Sequence, residues 1–200
     1  MQSVYYNNLG ANKRIYDAVL KCLQNRGKIL PIIGLIKADE LYETVLDEHP
    51  ELFYVSQKFY IKPGLIHKEI EPIYVYSTAE AKKIRTQLEI EAQKILSECI
   101  NEHQADYDKV RSLHDYLKSN LEYDDDATGK KKFKSQNFIE AHNIVGALLK
   151  HKCVCEGFAK AFKFLCDKIG LECWVVSGTV GSTISSGPHA WYIVKIYGYY

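Results

Sequence analysis

Apolar residues recur at three- and four-residue steps along much of the chain, which predicts a series of amphipathic helices. Ser77 and Glu80 form a capping-box pattern at the start of one of them, and Asp39 is the predicted cap of another. Gly27 and Gly170 stand where glycine usually ends a helix. The helices are predicted over residues 11–26, 40–48, 77–99, 106–121, 138–149 and 155–169.

Short runs of aromatic and β-branched residues predict strands between these helices. Pro31 and Gly34 interrupt a further apolar run, 29–36, which favours an edge strand or a packed loop. His189 is the predicted first residue of the last strand, and Tyr197-Gly198 is typical of a hairpin turn. The strands are predicted over residues 52–55, 59–61, 73–76, 171–176 and 189–196, with loops over 178–188 and the charged segment 122–137.

The composition of the 200 residues, 46% apolar and 26% charged, is that of a globular chain able to bury a core. A net charge of +1 provides no field that would attract nucleic acid or an anionic membrane, so neither is an expected partner. No apolar window is long enough to predict a membrane span, and the first thirty residues show no export signal. The sequence as written is compatible with the cytoplasm, or with the exterior if a leader has been removed.

Six cysteines are too few to be the main crosslinks of a chain of this length. Cys22, Cys99, Cys166 and Cys173 lie on apolar stripes or in a strand-like run, where cysteine usually acts as a small buried hydrophobe. Cys155 is different because it falls at the start of a predicted helix. Unpaired N–H groups and the positive end of the helix dipole stabilise a thiolate there, and the thiolate is the nucleophilic form.

Cys155 and His189 are the minimal pair for thiol catalysis, since an imidazole can take the thiol proton and return it to the leaving group. Cys153 is a rival nucleophile that lies too early to benefit from the helix start. His114 is more typical of a structural hydrogen bond than of a catalytic group. A metal site formed by His151, Cys153 and Cys155 is a further alternative, although zinc ligands are usually spaced more widely and no fourth ligand is evident.

The sequence around this pair resembles the core of the transglutaminase-like superfamily, which shares the papain-like fold. The resemblance rests on VCEGFAKAF at 154–162, Gly170, VSG at 176–178 and HAW at 189–191. LHDYL at 113–117 and Tyr123-Asp124 also resemble the segment that precedes this core in bacterial members. The similarity covers residues 106–200, and the first half shows only a looser likeness.

The resemblance implies an α+β fold in which the nucleophile helix packs on an antiparallel sheet. It divides the chain into an N-terminal α/β extension, 1–104, and a transglutaminase-like core, 105–200. The implied activity is cysteine-dependent acyl transfer on peptide or glutamine amide bonds, with Cys155 as nucleophile, His189 as base and acid, and Trp191 binding substrate. A peptide or protein is the expected substrate, and no cofactor or metal is implied. The alternative is a non-catalytic binding module on the same fold.

The family's third catalytic residue is an aspartate on the strand after the hairpin at Gly198, a position that would fall just beyond Tyr200. Asp167 cannot replace it, because it lies about three turns down the helix of Cys155. In a serine triad the loss of the aspartate costs about 10⁴ in turnover. We therefore expect weak or absent turnover from these 200 residues alone and full activity from a longer parent chain.

Overall fold

The computed structural model describes residues 10, 13–28, 30–31, 38–63, 68–128, 135–181 and 186–200. The chain forms two compact units, the first ending at Ala81 and the second running from Lys82 to Tyr200. The sequence-based domain boundary between residues 104 and 105 stays a prediction.

The first unit combines two helices with a three-stranded antiparallel sheet. The helices are α1 (Lys13–Gln24) and α2 (Ala38–Glu48). The sheet has the order β1 (Leu30–Pro31), β3 (Lys68–Tyr74), β2 (Val55–Pro63). Leu23 of α1 and Tyr42 and Val45 of α2 are fully buried, so the facing apolar stripes of the two helices supply the core of this unit.

The second unit contains five helices and two small sheets within its described residues. The first helix, α3 (Thr78–Cys99), begins in the first unit and continues into the second. The other helices are α4 (Asp106–Asn120), α5 (Gln136–Ala141), α6 (Ile144–Leu149) and α7 (Cys155–Lys168). The parallel pair is β4 (Glu122–Tyr123) with β5 (Lys152–Cys153), and the antiparallel pair is β6 (Cys173–Gly181) with β7 (Ser186–Val194). This mixture of helices and small sheets confirms the predicted α+β class.

The central element of the second unit is α7, which contacts α4, α6, β6 and β7. Phe162 and Leu165 of α7 are fully buried, and burying each such side chain contributes about 1.5–3 kcal/mol. Gly157 permits a close approach at the start of the helix, because a Cβ at that position would lie 2.3 Å from the carbonyl oxygen of Ala141. The packing therefore fixes the first turn of α7 tightly against the segment that precedes α6.

Several local predictions are confirmed. The capping box is present, with the Ser77 amide donating to Glu80 Oε2 at 2.8 Å and the Glu80 amide donating to Ser77 Oγ at 3.2 Å. Gly170 ends α7 with a φ of 74°. Tyr197 and Gly198 form the predicted hairpin turn, both with positive φ, as primed two-residue turns require.

In the first unit, three sequence-based expectations need correction. The predicted strand 52–55 is wrong, because Pro50–Leu52 is a 3₁₀ helix and β2 begins only at Val55. Proline at the start of a helical turn loses no hydrogen bond, which favours that outcome. The predicted strand 73–76 is displaced, since β3 ends at Tyr74. The second helix begins at Ala38, so Asp39 lies inside it, while residues 32–36 of the possible edge strand lie outside the described residues.

In the second unit, the single helix predicted over 138–149 is two helices. Asn143 interrupts it and caps α6, its side-chain oxygen accepting from the Val145 amide at 2.8 Å. The loop predicted over 178–188 is wrong at both ends, because β6 continues to Gly181 and β7 begins at Ser186, while positions 182–185 lie outside the described residues. His189 is therefore the fourth residue of its strand and not the first. Cross-strand pairing overrides the low strand propensity of the glycines here.

No helix in the described ranges is both long enough and apolar enough to cross a membrane.

Candidate functional site

Cys155 is the first residue of α7, as the sequence predicted. The residue before it, Val154, is extended and provides no side-chain cap, and the first helical hydrogen bond runs from the Phe158 amide to the Val154 carbonyl at 3.0 Å. The amides of the first turn therefore have no carbonyl partner within the helix. Because the Cys155 side chain is only half-buried, a reagent or substrate can reach a sulfur that lies at the positive end of a helix dipole.

His189 lies on β7 directly opposite Gly178 of β6. Its imidazole is stacked along the indole of Trp191, with ring centroids 6.2 Å apart and planes inclined by 25°. Residues 189 and 191 share one face of the hairpin, as alternation along a strand requires. Among the described residues, the structure shows this ring contact for the imidazole of His189. It shows no hydrogen bond between that imidazole and the sulfur of Cys155.

One cavity of about 370 Å³ brings the three predicted site residues together. Cys155 lines it from the start of α7, and His189 and Trp191 line it from β7. The end of α4 and strand β4 complete the wall, contributing Tyr123 among others. A cavity of this size accommodates part of a peptide, and walls rich in aromatic and aliphatic carbon strengthen electrostatic interactions by excluding water.

Tyr123 is a site residue that sequence reasoning did not identify as functional. Its side chain lines the same cavity as that of Cys155. Partial burial, followed by interaction with the Cys155 sulfur and the charge of Asp125, raises the pKa of Tyr123, so the hydroxyl keeps its proton. The available signal was the Tyr123-Asp124 dipeptide, which belongs to the resembling segment but stands in a run that reads as a solvated loop.

Cys153, the rival nucleophile, is only 2% exposed. Burial raises its pKa to about 12, and the neighbouring Cys155 and Asp124 act in the same direction. A thiol of this kind stays protonated at neutral pH, which disfavours it as a nucleophile. The metal-site alternative has no support either, because in the part of the chain that is described no three histidine, cysteine, aspartate or glutamate side chains are placed to hold an ion.

Two further sets of contacts hold the elements around the cavity together. His114 on α4 is hydrogen-bonded through Nδ1 to the hydroxyl of Tyr192 at 2.5 Å, the kind of structural bond expected for it. Of the four cysteines predicted to be buried, Cys166 and Cys173 are buried, whereas Cys22 and Cys99 are only half-buried. Interaction with Cys173, together with burial, raises the pKa of Cys166. These contacts fix α7 against α4 and the β6–β7 hairpin.

Part of the charged segment predicted as a solvated loop over 122–137 lies outside the described residues, at positions 129–134. In the part that is described, Asp124, next to Tyr123, departs from that prediction because it is only 1% exposed. Asn137 donates to Oδ2 at 2.9 Å, and the ammonium of Lys152 lies 3.6 Å from Oδ1. Burial acts to raise the pKa of Asp124, but the hydrogen bond from Asn137 and the charge of Lys152 outweigh it and hold the pKa below its usual value. The buried carboxylate thus secures the segment that carries Tyr123.

The lowered pKa of Asp124 predicts a pH-dependent contribution to stability. A carboxylate whose pKa is depressed on folding stabilises the protein above its unfolded pKa of about 3.9, and this contribution is lost as the pH falls through the folded value. Asp124→Asn is expected to lower the free energy of unfolding at neutral pH by about 1–3 kcal/mol, since it removes a charged hydrogen-bond acceptor. Urea unfolding followed by circular dichroism at several pH values measures this.

The matched control for that variant is Asp125→Asn, at the exposed neighbouring position. It is expected to change stability by less than about 0.5 kcal/mol. The difference between the wild type and Asp124→Asn should shrink below about pH 4. A difference that stays constant down to acidic pH would show that the charge of Asp124 does not stabilise the fold.

Comparison with known proteins places these residues in a family context. A family model described as the transglutaminase-like superfamily matches residues 93–200. A crystal structure of a TGase is 12% identical with a TM-score of 0.48, covering 85% of this chain and 48% of its own. A protein from Cytophaga hutchinsonii, provisionally described as a cysteine protease, is 20% identical with a TM-score of 0.41, covering 56% of this chain and 35% of its own. The chain thus spans about half or less of these solved structures, and no curated protein matches it.

Proposed function

Because the chain belongs to the transglutaminase-like superfamily, we propose that it is a cysteine-dependent acyl-transfer enzyme acting on peptide or glutamine amide bonds. The observation that carries the proposal is the shared cavity, in which a cysteine at a helix start and a histidine on the neighbouring strand face the same space. Cys155 is the nucleophile, His189 is the base and then the acid, and Trp191 forms the wall against which the substrate packs.

The first step is attack of the Cys155 thiolate on the carbonyl carbon. The thiol proton passes to His189 before or during this attack, and the carboxylate of the following residue, Glu156, is paired with Lys160 at 2.5 Å. As the C–N bond breaks, protonated His189 donates its proton to the departing ammonia or amine. A thioester remains on Cys155, and water or a second amine then takes the acyl group.

The oxyanion formed during attack needs hydrogen-bond donors near the sulfur. The backbone N–H of Cys155 is one, because an amide in the first turn of α7 has no helical carbonyl to bond. The hydroxyl of Tyr123 is the second, since Tyr123 lines the same cavity as Cys155 and its raised pKa keeps the hydroxyl protonated. Donors that are in place before the reaction stabilise the developing charge without having to reorganise.

Tyr123→Phe is therefore expected to lower kcat by about 10²–10³, the usual cost of removing one oxyanion donor. Tyr107→Phe is the matched control, since Tyr107 is similarly exposed on α4 but does not line the cavity, and it should leave kcat unchanged. Initial rates under saturating substrate measure the effect. An unchanged kcat in Tyr123→Phe would remove Tyr123 from the oxyanion site.

Of the two possible reactions, we propose peptide hydrolysis first and incorporation of an amine second. Glutamine-containing peptides incubated with the protein, with and without a primary amine, distinguish them by mass spectrometry. Cleavage of the chain indicates a peptidase, conversion of glutamine to glutamate indicates amide hydrolysis, and a mass gain equal to the amine minus ammonia indicates transamidation. The non-catalytic binding module would be favoured if the 200-residue chain and any longer parent chain bound peptides but formed none of these products.

A further inference from the structure

The His189 imidazole needs a defined orientation to exchange a proton with a sulfur across the cavity. In a Ser-His-Asp catalytic triad, a hydrogen bond to the aspartate carboxylate provides this orientation. The structure shows no such bond for His189 within the described residues, and its ring contact is with the indole of Trp191. Among the described residues, the contact with the indole is the one that limits the directions the imidazole can take.

The position of the indole depends in turn on a glycine in the neighbouring strand. Gly178 of β6 is paired with His189, two positions before Trp191 on the same face of the hairpin. A Cβ built at Gly178 would lie 2.9 Å from Cη2 and 3.3 Å from Cζ3 of Trp191. The far end of the indole therefore occupies the space in which a side chain at position 178 would stand.

We infer that Gly178 and Trp191 together position the catalytic imidazole of His189. The indole of Trp191 lies diagonally across the hairpin, over the backbone of Gly178. Gly178 is paired with His189, so the indole lies beside His189. It thereby offers the imidazole a flat surface in nearly parallel orientation. Aromatic side chains packed over a cross-strand glycine are a known way of stabilising such positions in sheets. This inference rests on the proposed function, because it assigns a role relative to His189 as the proton carrier.

Glycine is required at 178 for steric reasons and not for backbone freedom. It lies within the regular pairing of β6 with β7, and its φ is not in the left-handed region. The atoms that a methyl group would meet belong to the outer ring of a flexible side chain, so the chain can still fold with alanine there. The predicted consequence of Gly178→Ala is a displaced indole and a less constrained imidazole.

The test is alkylation of Cys155 by iodoacetamide at about pH 6, where an ordinary thiol is almost entirely protonated and the reaction depends on help from His189. Gly178→Ala is expected to slow it by about tenfold, since small misplacements of a catalytic group carry costs of this size. Gly187→Ala is the matched control on the same hairpin, because a Cβ there meets no atom within 4 Å. Circular dichroism confirms that both variants are folded.

A double-variant comparison separates positioning from general disturbance of the hairpin. Phenylalanine at 191 lacks the outer indole ring that Gly178 accommodates, so Trp191→Phe should itself slow alkylation, and adding Gly178→Ala to it should cause no further loss. Equal losses from Gly178→Ala in the two backgrounds would overturn the inference. A second readout is the His189 Hε1 resonance, which should move in Gly178→Ala as the stacked indole leaves and remain in place in Gly187→Ala.

His189→Ala distinguishes failure of the proposed function from failure of the positioning role. If His189→Ala has the same alkylation rate at about pH 6 as the wild type, His189 does not assist Cys155 and the proposed function fails. If His189→Ala is slow but Gly178→Ala matches the wild type in both rate and Hε1 resonance, the proposed function survives and the positioning role is wrong. If Gly178→Ala does not fold, Trp191→Phe decides: a slowed alkylation with a shifted His189 Hε1 resonance supports the positioning role of the indole, and an unchanged rate and resonance overturn it.

Discussion

Cys155→Ala is expected to abolish turnover and to remove the thiol that reacts with iodoacetamide at about pH 6. The sulfur lies at a helix start and lines a cavity that His189 also lines. Loss of a catalytic nucleophile typically costs about 10⁶ in turnover. Peptide mapping of the alkylated protein, combined with a turnover assay, measures both effects.

Cys153→Ala is the matched control for this variant, because it removes the other thiol of the same short segment. Burial holds the pKa of Cys153 at about 12, so the wild type should carry no label at this position at about pH 6, and Cys153→Ala should keep the reactivity of Cys155. Labelling of Cys153 with Cys155 left unmodified would reverse the assignment of the nucleophile.

His189→Ala is expected to have the second largest effect. It removes the group that accepts the thiol proton and later protonates the leaving amine, which should lower turnover by about 10²–10⁴. Alkylation of Cys155 should slow by about tenfold or more at about pH 6 and recover near pH 9, where thiols ionise without assistance. The rate of alkylation measured across this pH range gives the result.

The control for His189→Ala is His114→Ala, which removes a histidine hydrogen-bonded to Tyr192 on the other side of the hairpin. That variant should destabilise the fold without changing the pH dependence of alkylation. A pH dependence that is altered equally by both substitutions would indicate a general effect on the hairpin and would argue against a proton-carrying role for His189.

Sequence-based prediction of local structure was most accurate at positions where a residue type favours one backbone geometry for one physical reason. Glycine at 170, the Ser77–Glu80 pair and the Tyr197-Gly198 turn each predict one local geometry, and the structure confirms all three. The start of α7 at Cys155 could be predicted for the same reason, because the apolar stripe of that helix is long and regular.

Predictions failed where tertiary pairing outweighs local preference. Gly178 has a low strand propensity, yet it pairs with His189 because the hairpin continues to Gly181. Asp124 appears in a highly charged run, yet it is buried because Asn137 and Lys152 come to it from other parts of the chain. Such partners are distant in sequence, so neither the positioning glycine nor Tyr123 could be recognised from composition or periodicity.

The central claim is that the Cys155 sulfur and the His189 imidazole can come within proton-transfer distance. A bifunctional alkylating reagent of three carbons, 1,3-dibromoacetone, tests this most directly, since it spans about 5 Å between the two atoms that it joins. Sulfur displaces one bromide and an imidazole nitrogen displaces the other. A crosslinked pair of peptides containing Cys155 and His189 is the expected product. Alkylation of Cys155 with the second arm hydrolysed, or attached to any residue other than His189, would contradict it.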